Sequence, residues 1–275
     1  MQDNIPITVI GDVVGDSNAS GRMTTRMASL FPGSYIGFVG VRKDIEAAIC
    51  LVDTLDALED RPGVILVNVA PRNGMAKRKW PNGTPFIETS VNKVQIFSTV
   101  DGYTLSLLQD LAGGKLRMRL YGVPEVVPFL EVSPEVQARI ISSQFRSFDF
   151  LPRLAKARID GKELPYAPLV RIANYPITPE CVAFCDIFGN LKTSIVFRGQ
   201  FEPDQLLKVT VGEKSERVKF FPGLKDVPDQ ELGIVVGSSG FCGSRFLELV
   251  VQGGSAFSHL GNPAVGVSVK FSPPE

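Results

Sequence analysis

The hydrophobic pattern of the first two-thirds of the chain alternates between short apolar runs and stretches where apolar residues recur every three or four positions. The short runs predict buried strands, and the longer spacing predicts helices that pack on a core. The predicted strands are Ile7–Ile10, Tyr35–Val39, Val64–Val69 and Val94–Phe97, and the predicted helices are Ser20–Leu30 and Asp44–Leu58. Residues 133–158 are predicted to be helical at both ends and interrupted at Pro152. Strands that alternate with helices indicate an α/β domain with a largely parallel sheet.

After a proline-rich passage that ends at Pro179, only short β-type runs follow. The predicted strands there are Val182–Phe184, Thr193–Phe197, Leu207–Val211, Arg217–Phe221, Ile234–Val236, Phe246–Val251 and Val265–Phe271. Short strands with glycine- and proline-rich turns predict a small barrel or sandwich. We therefore predict an N-terminal α/β domain over residues 1–170 and a smaller, antiparallel, barrel-like β domain over residues 171–275.

Composition and charge narrow the classes of function. Apolar residues make up 44% of the 275 residues, which excludes a disordered or fibrous chain. Lysine plus arginine and aspartate plus glutamate both total 29, so the basic excess of a duplex nucleic-acid binder is missing. The sequence has neither an apolar run of membrane-spanning length nor a secretory signal at its start. We therefore expect no nucleic-acid partner, no membrane association and a cytoplasmic location.

The cysteines and the single histidine argue against a metal site. Cys181 and Cys185 have the spacing of half a site, but no second cysteine pair follows and His259 is the only histidine. Four scattered cysteines do not form a disulfide framework either, so we expect buried, reduced thiols and no metal. The sequence assigns no acid to His259, which favours a surface or core histidine over a catalytic base.

Three segments carry candidate chemistry, each with a plainer alternative. Asp12 directly follows the first predicted strand, where an acid binds a ribose diol in many α/β proteins or simply caps a turn. The run Asp186–Thr193 begins at a strand end and has the composition of a β-turn. The run Gly237–Gly240 offers backbone N–H groups to an anion or carboxylate, and a plain glycine-rich hairpin loop explains it equally well.

Taken in order, several motifs resemble the S-adenosylmethionine (SAM) hydrolase and halogenase family, which includes SAM hydroxide adenosyltransferases, fluorinase and chlorinase. The motifs are Asp186-Ile187-Phe188-Gly189-Asn190-Leu191-Lys192-Thr193, Gly237-Ser238-Ser239-Gly240, Leu247-Glu248-Leu249 and Gly253-Gly254-Ser255-Ala256. Residues 182–271 carry most of the resemblance. The N-terminal part is similar to the family through the strand that ends at Asp12, the run Val64–Gly74 and the run Phe145–Leu154.

The resemblance implies a two-domain subunit and a homotrimer in which SAM lies between the N-terminal domain of one subunit and the C-terminal domain of the next. SAM is then the substrate, and no further cofactor is implied. A nucleophile attacks the ribose C5′ carbon opposite the sulfonium, and L-methionine leaves. This chemistry depends on stripping water from an anion and holding it in line with the C5′–S bond.

The resemblance also assigns substrate-binding residues. It implies that Asp12 holds the ribose hydroxyls, that Asp186 pairs with the methionine ammonium, and that Asn190 bonds the adenine edge beside Phe188. It implies that Ser238 contacts the methionine carboxylate. Because this chain has the additional residues 241–246, Ser244 and Arg245 are the alternative pair for the carboxylate, to which arginine is well suited.

The expected catalytic loops depart from the hydroxide-forming members of the family. Their water-activating aspartate and histidine correspond to Ala70 and Arg146 here, while Lys77 or Arg78 stands for the arginine. Ser147 takes the position of the serine that contacts halide in fluorinase. With Arg146, Arg72 and Asn73, it forms the predicted catalytic set, whose positive charge favours an anionic nucleophile such as halide. SAM hydrolysis through a rebuilt water site and non-catalytic binding of SAM or adenosine are the alternatives.

Overall fold

The computed structural model describes residues 5–70, 84–113, 116–169 and 177–274. The chain divides into two compact units, Met1–Pro176 and Ile177–Glu275. The first is an α/β unit and the second a nearly closed, barrel-like β unit, which confirms the predicted fold class. Within the described residues, no helix is both long enough and apolar enough to cross a membrane.

The α/β unit is built on one mixed sheet in the strand order β2-β1-β3-β5-β4-β6-β7. Its strands are β1 (Ile7–Gly11), β2 (Ile36–Gly40), β3 (Gly63–Asn68), β4 (Phe86–Val91), β5 (Val94–Thr99), β6 (Met118–Tyr121) and β7 (Ala167–Leu169). Its helices are α1 (Ser17–Leu30), α2 (Asp44–Ala57), α3 (Ser106–Leu111), α4 (Val123–Val126), α5 (Pro134–Ser142), α6 (Arg146–Asp149) and α7 (Leu151–Ile159). The neighbouring strands β2, β1, β3 and β5 are parallel, and the remaining pairs are antiparallel.

The strand sequences explain why both faces of the parallel strands are covered. In β1, Ile7 and Val9 belong to the core beneath α1 and α7, whereas the intervening positions point to the opposite face. Helix α2 packs against β1 and β3. The loops that follow the parallel strands therefore gather at one edge of the sheet, its carboxyl edge, while the central strands β1 and β3 are largely buried.

The antiparallel end of this sheet contains a buried carboxylate that sequence patterning missed. Glu88 in β4 is 7% exposed, and its carboxylate accepts hydrogen bonds from the Tyr121 hydroxyl at 2.5 Å and from Arg158 Nε at 2.9 Å. Arg119 adds an ion pair at 3.7 Å. Charged groups inside a strand hide its apolar pattern, and neither β4 nor β6 was predicted.

The helical stretch is interrupted just before Pro152, as predicted, because α6 ends at Asp149 and α7 begins at Leu151. Pro152 lies in the first turn of α7, where the missing N–H has no intrahelical partner to lose. A further break falls earlier, between α5 and α6, where the Ser143 hydroxyl donates to the buried Asp149 at 2.6 Å and accepts from the Phe145 N–H at 3.0 Å.

The β unit is a second seven-stranded sheet among the described residues, in the order β14-β10-β11-β12-β13-β9-β8. Its elements are β8 (Val182–Cys185), β9 (Leu191–Phe197), β10 (Leu206–Val211), β11 (Lys214–Phe221), β12 (Leu232–Phe241), β13 (Ser244–Val251), α8 (Ala256–His259) and β14 (Val269–Ser272). Pairing is antiparallel except between β11 and β12. An antiparallel bridge between Cys181 and Ser268 joins the two edges at one point, so the sheet nearly closes into a barrel around an apolar core.

The run Gly237–Gly240 is not a hairpin loop, because it lies inside β12. Its pairing with β13 shifts register between Val236 and Gly240, which marks a β-bulge. The chain reverses later, at Cys242 and Gly243, whose φ angles of 50° and 79° suit a two-residue hairpin turn. Long-range pairing thus overrides the turn preference of glycine and serine.

Candidate functional site

The carboxyl edge of the parallel strands has the topology of a ligand site. Strand β1 lies between β2 and β3, so the chain turns to one side of β1 and then crosses to the other. The strand order therefore reverses between β1 and β3, and ligands of open α/β sheets bind at such switch points. Asp12 directly follows β1, and Ala70 lies two residues after β3, so both flank this position.

Asp12 is held at the switch point by backbone contacts to the neighbouring strand. Its Oδ2 accepts a hydrogen bond from the Ala70 N–H at 3.1 Å, and its own N–H donates to the Asn68 carbonyl at 3.4 Å. The residue is half-buried. A carboxylate can accept about four hydrogen bonds, which is the chemistry that a pair of ribose hydroxyls requires.

Arg146 lies at the same edge of the sheet as Asp12. Its Nη1 donates to the Thr84 carbonyl at 3.4 Å, and Thr84 lies just before β4, which starts opposite the carboxyl end of β5. Because β1 and β4 are three strand positions apart, the two regions are separated by roughly 14 Å across the sheet. Burial lowers the pKa of the Arg146 guanidinium, yet arginine stays protonated at physiological pH.

Of the rest of the predicted catalytic set, the structure describes Ser147. Ser147 lies beside Arg146 in α6 and is 5% exposed, and within the described ranges its hydroxyl makes no hydrogen bond. Arg72 and Asn73 lie outside the described residues, as do Lys77 and Arg78.

The loop between β8 and β9 is a closed turn built on Asp186. Its carboxylate Oδ1 accepts the N–H groups of Phe188 and Asn190, both at 2.9 Å, and Oδ2 accepts the Asn190 side-chain amide at 2.9 Å. The Gly189 N–H also donates to the Asp186 carbonyl at 3.1 Å. The β-turn alternative therefore describes this motif, and the ammonium-binding role of Asp186 stays a prediction.

A second motif supports this turn from outside. Gly189 has a φ of +83°, and a Cβ placed on it would lie 2.1 Å from the Ser255 Oγ. Its carbonyl accepts the Phe257 N–H at 2.8 Å. The run Gly253–Ala256 is thus packed on the turn, so the two sequence motifs form one structural unit. At the tip, Phe188 is 70% exposed, so its ring is available to a ligand or to another chain.

The two candidate groups for the methionine carboxylate, Ser238 and the pair Ser244 and Arg245, lie on neighbouring strands of the barrel. Ser238 is exposed in the bulge of β12. Ser244 and Arg245 begin β13 and are half-buried, and Arg245 pairs with the far end of β9. Four residues of β13, roughly 13 Å, separate Arg245 from the level of Leu191, which directly follows the Asp186 turn.

Lys192 and Glu248 surround the bulge and were not assigned a role from the sequence. Lys192 Nζ donates to the Ser239 Oγ at 2.5 Å, and Glu248 lies opposite Lys192 on the neighbouring strand. Glu248 is 7% exposed, and its side chain occupies the space beside Gly237, where a Cβ would lie 2.1 Å from Oε1. The signal in the sequence was a charged residue within an apolar strand.

The structure corrects two expectations about cysteine and histidine. Only Cys181 is buried, while Cys242 is exposed at the hairpin turn. His259 does have an acidic partner, because its Nε2 lies 2.8 Å from Glu216 in β11. In the part of the chain that the structure describes, no group of three or more histidine, cysteine or acidic side chains is placed to hold a metal ion.

The predicted site residues therefore fall into sets within each unit. The α/β unit brings Asp12 and Arg146 to one sheet edge. The β unit brings Asp186, Phe188 and Asn190 into one turn. It places Ser238, Ser244 and Arg245 around one hairpin.

Comparison with solved structures supports the fold. A structure titled as an uncharacterized conserved protein from Thermotoga maritima is similar over 96% of this chain and 99% of its own, with a TM-score of 0.69 and 19% identity. A conserved hypothetical protein from Thermus thermophilus is similar over 97% and 99%, with a TM-score of 0.58 and 18% identity. No protein-family model and no curated protein matches the chain. At these identities, the likeness establishes that both units belong to a fold shared with those two proteins.

Proposed function

We propose that the protein binds SAM and catalyses substitution at its ribose C5′ carbon by an anion, a halide being the first candidate, with release of L-methionine. The observation that carries the proposal is the Asp12 carboxylate at the β1–β3 switch point, oriented by the Ala70 N–H. Ligands of open α/β sheets bind at this position, and an acid there suits a ribose diol. The motif resemblance in the β unit supplies the adenosyl and methionine part of the proposal.

In this proposal, the Asp186 turn recognises the adenosyl and methionine groups. The turn is closed by its own hydrogen bonds, so Asn190 and Phe188 are presented in one fixed geometry. Preorganisation of this kind lowers the entropy cost of binding. Asp186 offers negative charge to the methionine ammonium, and Ser238 in the bulge of β12 is the first candidate for the carboxylate, with Ser244 and Arg245 the alternative.

The proposed reaction needs no proton transfer when the nucleophile is a halide. A bond forms between the halide and C5′ while the C5′–S bond breaks, and its electron pair neutralises the sulfonium to give the thioether of methionine. The half-buried Arg146 supplies positive charge to draw in the anion, and Ser147 offers a hydroxyl nearby. Two water-activating residues of the hydroxide-forming family members are absent, since Ala70 and Arg146 replace them.

The proposal extends to assembly and location. We propose that the protein forms a homotrimer, in which neighbouring subunits contribute the two sets of binding residues to one site. We also place the protein in the cytoplasm, where an exposed thiol such as that of Cys242 stays reduced.

Product analysis by mass spectrometry tests the proposal. The purified protein is incubated with SAM alone and with fluoride, chloride, bromide or iodide, and Arg146→Met is run beside the matched surface variant Arg198→Met. We expect a 5′-halo-adenosine and L-methionine, lost in Arg146→Met and retained in Arg198→Met. Adenosine formed without added halide would instead establish hydrolysis. SAM that is bound but unchanged would establish a binding protein, and no binding would overturn the proposal altogether.

A further inference from the structure

A cationic surface pocket lies along the outer side of α1, and the proposed reaction leaves it unused. The pocket has a volume of about 550 Å³. It is lined by Asn18, Gly21, Arg22, Thr25, Arg26, Ser29 and Phe148. Four of these residues are one helical turn apart along α1, so they form a continuous wall, and Phe148 of α6 also lines the pocket.

Two arginines in the pocket are held on one aromatic ring. The guanidinium carbons of Arg22 and Arg26 lie 4.5 Å and 4.3 Å from the centroid of Phe148. Cation–π attraction holds both guanidinium groups beside this ring. Both charges lie closer together than the Debye length of about 10 Å at 0.1 M salt, so solvent ions screen their repulsion poorly.

The surrounding charges do not balance these two arginines. Asp149 is the acid whose charge acts on Arg26, and it is 6% exposed. Its Oδ2 accepts a hydrogen bond from Ser143, and its Oδ1 lies 3.8 Å from Arg139 Nε. Burial lowers the pKa of Arg26, and while Asp149 opposes this change, Arg139 and Arg22 add to it. Three guanidinium groups therefore surround one buried carboxylate, whose Oδ2 already accepts from Ser143.

We propose that this pocket binds a phosphate-type oxyanion, bridged by the N–H edges of Arg22 and Arg26. A doubly charged oxyanion offers several acceptor oxygens to two fixed guanidinium groups, which a halide does not. Asn18 adds an amide donor to the same wall, and the missing side chain of Gly21 leaves room for the anion to approach the helix. The site is distinct from the one proposed for SAM, since the two share no residue.

Isothermal titration calorimetry at constant ionic strength tests this proposal with inorganic phosphate, adenosine monophosphate and chloride. We expect saturable binding of phosphate that depends on Arg26, and no chloride binding that depends on Arg26. Binding of both phosphate ligands identifies the free phosphate group as sufficient, and binding of the nucleotide alone identifies a phosphate ester as the ligand. Nucleotide binding should persist in Asp12→Ala, which separates this pocket from the nucleoside site.

Two variants locate the binding to the pocket. Arg26→Gln should weaken phosphate binding by about tenfold or more. Arg198→Gln, which alters an exposed arginine of the β unit, should leave phosphate binding unchanged. Gly21→Glu places a carboxylate beside the arginines, and because no atom lies within 4 Å of a Cβ there, the fold should tolerate it. Circular dichroism checks that both variants fold. The absence of saturable phosphate or nucleotide binding, or binding that persists in both pocket variants, would overturn the proposal.

Discussion

Asp186 and Asp12 are both predicted to bind the substrate, but they are held in opposite ways. The Asp186 carboxylate accepts three hydrogen bonds from residues no more than four positions away, and these bonds close its turn. Asp12 accepts a backbone hydrogen bond from Ala70, 58 positions along the chain, at the edge of a sheet whose strands pair without it. Removing the Asp186 carboxylate should therefore destabilise the fold, while removing the Asp12 carboxylate should affect only ligand binding.

The largest effect is expected from Asp186→Ala. It leaves the N–H groups of Phe188 and Asn190 without their acceptor, so the free energy of unfolding of the β unit should fall by about 2–3 kcal/mol. Urea denaturation measures this change. If SAM binding weakens while stability is unchanged, the turn does not depend on Asp186 and the contrast with Asp12 fails.

Gly189→Ala tests the same turn from the outside. Alanine at a φ of +83° is strained, and its Cβ would meet the Ser255 Oγ, so we expect a loss of about 2 kcal/mol. Gly199→Ala is a matched control, since Gly199 has a φ of +75° and no atom within 4 Å of a Cβ. Denaturation midpoints should show that Gly189→Ala is the more costly. Equal costs would mean that the contact with Ser255 contributes nothing.

Glu88 extends the comparison, because it lies in the same unit as Asp12 but its carboxylate is buried and accepts hydrogen bonds from Tyr121 and Arg158. Burial and the hydrogen bond to Glu88 raise the pKa of Tyr121 above its ordinary value near 10. Above about pH 10 the unfolded chain loses this proton while the folded chain keeps it, so stability falls by up to about 1.4 kcal/mol per pH unit. Below pH 10 the contribution is fully present.

Tyr121→Phe isolates this effect. Its free energy of unfolding should fall less steeply than that of the wild type between pH 9 and pH 11, whereas Tyr35→Phe, which alters an exposed tyrosine, should follow the wild type. Urea titrations at each pH measure both slopes. Parallel slopes for Tyr121→Phe and wild type would show that this network does not govern the alkaline limit.

The sequence predicted the parts of the fold that hydrophobic spacing encodes. It located β1, β3 and α2 within a residue or two, because their apolar positions face an enclosed core. It missed β4, whose buried Glu88 depends on Tyr121 and Arg158 far along the chain. Partners that distant leave no local pattern.

The candidate site shows the same limit. Asp12 and the Asp186 turn were found because strand ends and turn residues have local signatures. Lys192 was not, because its contact with Ser239 depends on a bulge that only the strand register creates. The cationic pocket was also missed, since Phe148 reaches Arg22 and Arg26 only through the packing of α6 against α1.

Titration of SAM into wild type and Asp12→Ala, with urea denaturation of both proteins in parallel, tests the central claim most directly. We expect wild type to bind SAM and Asp12→Ala to bind it at least about tenfold more weakly, while stability changes by less than about 0.5 kcal/mol. Equal affinities for SAM in the two proteins, or no binding by the wild type, would contradict the assignment of the switch point as the adenosyl site.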